Sequence, residues 1–180
     1  SGEAALSLQT RRNQAQRIGF DLGTGLGPID LNIETALSRR VTRTFFKGDF
    51  DIDTLTFPEA YKEEDRWYSQ SVLGLQYSFN YSDEDSATVG VEGFWNEMGY
   101  EDRGLEFISL VSGQSHVLYS GRQYVGAYVH LLNPGAWNDS SFFATAVQNI
   151  SDKTALLRLT VTHTLYKQIS LEAYVSRCFG

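Results

Sequence analysis

The chain has very few of the residues that cross-link, break or solubilise ordinary domains. Its 180 residues include one cysteine, three prolines and four lysines. The lone cysteine, Cys178, excludes an internal disulfide and a metal site built from several cysteines. No stretch approaches the roughly 18 consecutive apolar residues of a membrane-spanning helix, so no such helix is predicted.

Helical patterns and basic surfaces are equally scarce. We find no run of apolar residues spaced i, i+3, i+4, i+7 behind a capping residue, and therefore predict no helix. The net charge of −7 argues against a nucleic-acid partner, because such proteins normally carry a basic face. The segment "GTGLG" is similar to a phosphate-binding glycine loop, but strand-like residues follow it, so it is predicted to be a turn.

Strict alternation of apolar and polar residues is the dominant pattern of the sequence. In "LGLQYSFNY", residues 73–81, one face carries Leu73, Leu75, Tyr77, Phe79 and Tyr81. A period of two is typical of a β-strand, and about nine such segments run through the chain. Most approach the ~9–11 residues that a tilted strand needs to cross a bilayer. The pattern predicts a single all-β domain, residues 1–180, folded as an antiparallel up-and-down meander that closes into a barrel.

Two kinds of barrel fit this pattern, and they differ in which face meets water. A soluble barrel of the lipocalin or avidin type points its apolar face inward, whereas an outer-membrane barrel points it at lipid. Aromatic residues recur near strand ends, as in interfacial girdles. All four lysines lie in predicted turns and loops: Lys47, Lys62, Lys153 and Lys167. A strand surface that faces water would normally carry some of them. We therefore favour a transmembrane barrel, with a soluble ligand-binding barrel as the alternative.

The connections between the predicted strands differ in length in a regular way. Two long loops, at about residues 41–68 and 100–115, fall on one rim, and the short turns alternate with them on the other. Outer-membrane barrels separate long external loops from short periplasmic turns in this manner. Two further connections on the long-loop side are short, so the rule is only partly obeyed.

Three hairpins carry a resemblance to a known superfamily: "RIGFDLGTGLGPIDLNIETALS", "VLGLQYSFNYSDEDSATVGVEGFW" and "ALLRLTVTHTLYKQISLEAYVSRCF". They resemble the bacterial outer-membrane β-barrels, the porin-like members in particular. The resemblance implies a bacterial outer-membrane location, contact with membrane lipids and lipopolysaccharide, and passive transport of a small hydrophilic solute. Single-chain members have even strand numbers, so about nine strands indicate either a small barrel with one strand miscounted or part of a larger barrel with other segments or subunits.

Charged, amide and imidazole side chains on the polar face are the candidates for a lumen lining. They are Asp21, Asn32, Glu34, Gln76, Glu92, His130, Arg158 and Glu172. In a narrow barrel they would form an ion-paired wall, and in a wide barrel they would select solutes by charge. No spacing supports a Ser–His–acid hydrolase, so we predict a passive channel without a cofactor and not an enzyme. The alternative within the membrane class is a plugged barrel that binds partners through its loops.

The first long loop is both acidic and aromatic. Asp49, Asp51 and Asp53 alternate within it, and carboxylates of this kind bind Ca²⁺. The run lacks the glycine and the final glutamate of an EF-hand loop, so a solvated acidic loop is favoured over a metal site. No ligand-like spacing relates the three histidines, His116, His130 and His163. The aromatic residues of the loop indicate that it packs on other groups, for example as a constriction in the barrel mouth.

Overall fold

Nine long strands form one sheet, in which each strand pairs antiparallel with its neighbours along the chain. The computed structural model describes residues 2–10, 15–63, 65–83, 85–115, 120–167 and 169–180. The long strands are β1 (Gly2–Gln9), β2 (Gln16–Leu26), β3 (Ile29–Arg39), β6 (Tyr68–Asn80), β7 (Ser86–Asn96), β8 (Gln123–Leu132), β9 (Ser140–Asn149), β10 (Ala155–Tyr166) and β11 (Ile169–Phe179). The prediction of an all-β antiparallel meander is confirmed.

Two long connections contain the other elements. Short strands β4 (Phe45–Lys47) and β5 (Glu59–Tyr61) pair with each other between β3 and β6, and helix α1 (Arg103–Val111) lies between β7 and β8. The expectation of no helix is therefore wrong at α1. The carboxylate of Asp102 caps this helix by accepting a 2.9 Å hydrogen bond from the N–H of Leu105. Because α1 has only nine residues, its apolar repeat spans too few turns to stand out in the sequence.

The two ends of the sheet differ in the length of their connections. The connections after β3 and after β7, residues 40–67 and 97–122, are long and emerge at one end, the long-loop rim. The connections after β2, β6, β8 and β10 are shorter and lie at the other end, the short-turn rim. At that rim Gly27 opens the two-residue β2–β3 turn with a φ of +67°, which glycine adopts without a Cβ clash. Within the described residues, no helix has the length and apolarity needed to cross a bilayer.

The two faces of the sheet have opposite character. On the outer face, one cross-strand row brings together Leu31, Leu75, Val91 and Ala127. On the inner face, the adjacent row consists of Asn32, Gly74, Glu92 and Gly126. Successive side chains of a strand point to opposite faces, so the alternation of the sequence becomes a separation of apolar from polar side chains.

Tyr128 lies across Gly90 on the inner face. A Cβ atom at Gly90 would collide with Cζ and Cε1 of the Tyr128 ring, so no larger residue fits beneath it. The Tyr128 hydroxyl donates a 2.7 Å hydrogen bond to Oε1 of Gln76. Gln76, Gly90 and Tyr128 occupy one row on β6, β7 and β8. A single side chain therefore ties three neighbouring strands together.

Most of the buried apolar residues lie at the long-loop rim. Phe45 and Tyr68 stack with ring centroids 5.1 Å apart, and Tyr61 lies 5.8 Å from Phe45. Tyr100 and Tyr124 are buried at the same end. The compact packing is thus concentrated where the loops meet the strands, and no other described element packs against the outer face of the sheet.

β1 and β11 form the two edges of the sheet and do not pair with each other. Because nine antiparallel strands alternate in direction, β1 and β11 run the same way. The described residues form an open sheet, not a closed barrel.

Candidate functional site

A cavity of about 1020 Å³ lies against the inner face. Its wall extends across the sheet from Ser7 on β1 to Val147 on β9. The two long loops contribute Arg43, Gln114 and Ser115 to the same wall. The sheet therefore curves around this space, and the loops cover the end at the long-loop rim.

Five of the predicted lumen residues lie on the walls of cavities. Asp21, Glu34 and Glu92 line the main cavity. Asn32 and Gln76 line a second cavity of about 390 Å³ nearer the short-turn rim. Strands β2, β3, β6 and β7 position these side chains, because each is at an inner-face position of its strand. The structure brings this group together, while a role in solute passage stays a prediction.

The other three predicted lumen residues lie on the same face but closer to β11. His130 packs edge-on against Phe143, with ring centroids 5.8 Å apart. Arg158 is 3.7 Å from the Glu172 carboxylate, and its guanidinium lies 4.1 Å from the centroid of the Tyr174 ring. Both side chains of this pair are exposed near the edge of the sheet, and an ion-paired lumen wall stays a prediction.

In the part of the chain that the structure describes, the acidic side chains of the main cavity form no ion pair. Asp21 is directly opposite Glu34 in the β2–β3 register, and like charges in that position repel. Among the described residues, no salt bridge involves Asp21, Glu34 or Glu92. The smaller cavity adds Glu3 and Asp30 and no basic residue. Arg17 and Arg43 also line the main cavity, so the two cavities together carry five acidic and two basic side chains, an excess of negative charge that attracts cations.

Arg43 is a cavity residue that the sequence analysis did not identify. Its Nη2 donates a 3.0 Å hydrogen bond to Oγ of Ser109, and its guanidinium lies over the rings of Phe45 and Tyr100 at 5.3 and 5.5 Å. Burial lowers the pKa of Arg43 from its usual value. Arg43 belongs to a loop, so no strand alternation marks it, and only its folded surroundings reveal its position.

The two long loops form a joined cap over the cavity. The Thr44 N–H donates to Oε1 of Gln114 at 2.9 Å, and the Phe46 N–H donates to the hydroxyl of Tyr100 at 2.9 Å. Phe50 of the first loop packs on Phe107 of α1, with ring centroids 5.9 Å apart. These contacts place both loops on one side of the cavity and narrow its opening at that rim.

A buried carboxylate anchors α1 to the sheet. The Glu106 carboxylate accepts a hydrogen bond from the Ser120 hydroxyl at 3.0 Å and from Nδ2 of Asn149 at 3.2 Å. Burial raises the pKa of Glu106, and the nearby carboxylates of Asp152 and Asp102 raise it further, against the hydrogen bonds that lower it. Asn149 is the last residue of β9, so this contact fixes the helix to the rim.

Asp51, one of the three alternating aspartates of the first long loop, stabilises a turn. The carboxylate Oδ1 of Asp51 accepts hydrogen bonds from the N–H groups of Asp53 at 2.8 Å and Thr54 at 3.4 Å. Hydrogen bonds from Thr54 and Asp53 lower the pKa of Asp51. The part of the chain that the structure describes contains no group of three or more His, Cys, Asp or Glu side chains placed to hold a metal ion. His116 lies outside that part, and His163 bonds to Ser140 with Nδ1 and Oγ 2.9 Å apart.

The outer face exposes large apolar side chains throughout its width. Leu75, Val129, Leu159 and Leu171, on four different strands, are 43%, 40%, 46% and 58% exposed. Trp95, Tyr77 and Phe79 add aromatic surface on β6 and β7. Large exposed apolar surfaces are typical of proteins that contact a membrane or another protein.

The chain matches no protein-family model, no curated protein and no solved structure. Its function is therefore argued from two features of the molecule. One is the separation of apolar from polar side chains between the two faces, and the other is the acidic, loop-capped cavity on the inner face.

Proposed function

We propose that this chain forms the wall of an outer-membrane-type β-barrel through which small hydrophilic solutes pass passively. The observation that supports the proposal most directly is the exposure of the outer-face leucines and valines, opposite an inner face of amides and carboxylates. A bilayer suits this arrangement, because lipid surrounds the apolar side chains and water fills the polar interior. The partners are then membrane lipids, lipopolysaccharide among them, at a bacterial outer membrane.

Transfer free energies favour lipid over water at the outer face. Moving one Val, Leu or Phe side chain out of water is worth about 1.5–3 kcal/mol, and such side chains recur on the strands from β6 to β11. Arg177, a cation on this face, lies near the end of β11 over the Phe179 ring, where its head group can reach the interface. A soluble ligand-binding barrel would require these side chains inside, so the exposed apolar face favours the membrane alternative.

The charge of the inner face indicates the class of solute. The five carboxylates of the two cavities outnumber Arg17 and Arg43 on the wall of the main cavity, so their net negative charge raises the local concentration of cations. No covalent step and no cofactor is needed, because water and small solutes exchange along the polar wall by diffusion. The cap narrows the route at the long-loop rim. We therefore expect a cation-preferring path with a limited diameter.

Membrane insertion and conductance test the proposal together. The chain, refolded with phosphatidylcholine vesicles, is expected to float with them through a sucrose gradient, to resist extraction by urea, and to give conductance steps in planar bilayers. A monomeric chain that stays in the aqueous fraction without detergent contradicts the membrane assignment and supports the soluble barrel.

Matched variants connect insertion to the outer face. Leu75→Lys with Leu159→Lys puts charge on the lipid-facing side, at about 2–4 kcal/mol per lysine near the midplane, and should strongly reduce flotation. Ser78→Lys with Thr160→Lys puts the same charges on the inner face of the same strands and should leave flotation unchanged. Equal loss in both pairs would argue against the assignment of the faces.

The loop cap favours a second candidate function, a plugged barrel that binds partners through its loops. The contacts of Arg43 with Ser109 and of Thr44 with Gln114 hold the cap over the cavity. Conductance separates the two functions: a protein that floats with vesicles but never conducts is a plugged barrel.

A further inference from the structure

The two edges of the sheet are unusually open to pairing. Natural sheets protect their edges with lysine, proline, bulges or very short strands. β1 ("GEAALSLQ") and β11 ("ISLEAYVSRCF") contain neither lysine nor proline, and every residue of both strands is exposed. Leu6 on β1 is 78% exposed, compared with 43% for Leu75 on an interior strand. Their charged residues are few: Glu3 on β1, and Glu172 and Arg177 on β11.

Both edge strands are also regular. β1 pairs with β2 at all eight of its positions without a shift. The β10–β11 ladder is irregular only between Thr164 and Tyr166, next to the turn. The outward backbone N–H and C=O groups of each edge therefore form an even row. Inside a bilayer such groups must be paired, because hydrocarbon offers them no hydrogen bonds.

Strand parity limits what can pair with these edges. β1 and β11 run in the same direction. Closing the sheet on itself would therefore add one parallel pairing, between β1 and β11, to the eight antiparallel pairings. Parallel pairing is slightly less stable per residue, and single-chain bacterial barrels have even strand numbers. A second copy inserted in the same orientation meets the same difficulty, because its β11 would lie parallel to β1.

We propose that the free edges of β1 and β11 are taken by an odd number of additional membrane-spanning strands, antiparallel to both, which complete an even-stranded barrel. This inference rests on the proposed function, since only a bilayer makes unpaired edges so costly. It also deepens that function. Phe94, Tyr124 and Tyr128 project from the inner face, and in a barrel of about eight strands side chains of that size fill the interior. Added strands widen this lumen further.

The chemistry of the partner strands follows from the edges. They alternate as β10 does, with apolar residues beside Leu6, Leu8, Leu171 and Val175 on the outer face. On the inner face they carry small or polar residues beside Ser7 and Tyr174. A synthetic peptide with the β10 sequence, residues 155–166, has this pattern. In the chain itself, β10 pairs antiparallel with the edge of β11 that lies within the sheet, so the peptide can pair in the same way with the free edge.

The alternative of self-closure makes a sharp prediction of its own. One unbroken cross-strand row begins at Glu3, at the start of β1, and reaches Cys178, near the end of β11, through an inner-face position on every strand between them. Closing a barrel slides one edge along the other by about as many residues as there are strands. Self-closure would then place Ala5 opposite roughly residues 170–174 of β11.

Disulfide cross-linking in vesicles tests the seam. In a Cys178→Ser background, Ala5→Cys is combined in turn with Ser170→Cys, Glu172→Cys or Tyr174→Cys, and the chain is refolded into vesicles together with the β10-sequence peptide before oxidation. We expect no cross-link within a chain and none between chains. The positive control is Ser78→Cys with Thr88→Cys, a cross-strand pair whose hydroxyl oxygens lie 2.9 Å apart. Efficient cross-links within one chain, or between two copies, would overturn the proposal.

Hydrogen exchange tests the edges directly. With the β10-sequence peptide present, the amides of β11 should exchange at least about tenfold more slowly. The same peptide with Val161→Pro, which cannot complete a ladder, should leave exchange unchanged. No protection by the unmodified peptide also overturns the proposal. Flotation of the same samples reports membrane insertion separately, so failure of the proposed function is distinguished from failure of the edge inference.

Discussion

At the scale of single residues, the inner face combines glycine with large aromatic rings. The alternation of the sequence predicts that Gly90 and Tyr128 share a face, because each belongs to a polar stripe on its strand. It does not predict that the ring covers the glycine, since that contact depends on the register between β7 and β8. Arg43 is a similar case: its contacts with Ser109 and two aromatic rings depend on how two loops meet.

The Gly90–Tyr128 contact predicts a stability difference between two alanine variants. Gly90→Ala adds a methyl group where the Tyr128 ring lies, and we expect a loss of about 1–3 kcal/mol from the free energy of unfolding. Gly93→Ala, on the other face of the same strand, meets no atom within 4 Å and should be nearly neutral. Urea unfolding in detergent micelles, followed by tryptophan fluorescence, measures both. Equal stability of the two variants would show that the ring does not occupy this position.

At the scale of elements, strands were easier to predict than the helix. Long segments such as β6 and β10 alternate for 13 and 12 residues, so the period is unmistakable. α1 has nine residues and its capping Asp102 stands among other acidic residues, which hid both its repeat and its start. The short strands β4 and β5 have three residues each, too few for any period to show.

The anchor of α1 predicts a pH-dependent opening of the cap. Burial raises the pKa of Glu106 above its ordinary value of 4.5, so the docked helix favours the protonated carboxyl. Docking is therefore most stable below pH 4.5 and weakens as the pH rises through the raised pKa. We expect the amide protection of α1, corrected for intrinsic exchange, to fall with rising pH.

Two variants separate Glu106 from general effects of pH. Glu106→Gln keeps a side chain of the same shape without the charge, and its α1 protection should no longer depend on pH in this range. Glu101→Gln removes an exposed carboxylate that pairs with Arg122 at 2.8 Å, and should retain the dependence of the unmodified chain. An unchanged slope in Glu106→Gln would assign the effect to another group.

At the scale of the whole molecule, the sequence was sufficient for the meander but not for its closure. Alternation determines which side chains share a face of the sheet, and the structure has the predicted antiparallel order from β1 to β11. Closure depends on what meets the two edges, and parity alone shows that self-closure needs a parallel seam. Likewise, the lumen candidates share one face by alternation, whereas Arg158 and Glu172 lie away from the cavities because the cap and the curvature determine where the space lies.

The acidic inner wall predicts cation selectivity. In a salt gradient across a planar bilayer, Glu34→Gln with Glu92→Gln should lower the permeability ratio of K⁺ over Cl⁻ by roughly two- to fivefold, because the carboxylates that concentrate cations are lost. Glu172→Gln, whose carboxylate pairs with Arg158 outside the cavities, serves as the control and should leave the ratio near its starting value. A ratio that is the same in all three proteins would remove the carboxylates from any selective role.

The strand order has a consequence for how the molecule is made. Each strand bonds only to those directly before and after it among the nine long strands, so no hydrogen-bonded ladder has to wait for a distant part of the chain. The sheet can fold one hairpin at a time, and each completed hairpin offers an edge on which the next strand pairs. Low sequence separation of this kind speeds folding, and it leaves the joining of the outermost strands as the final, slowest event.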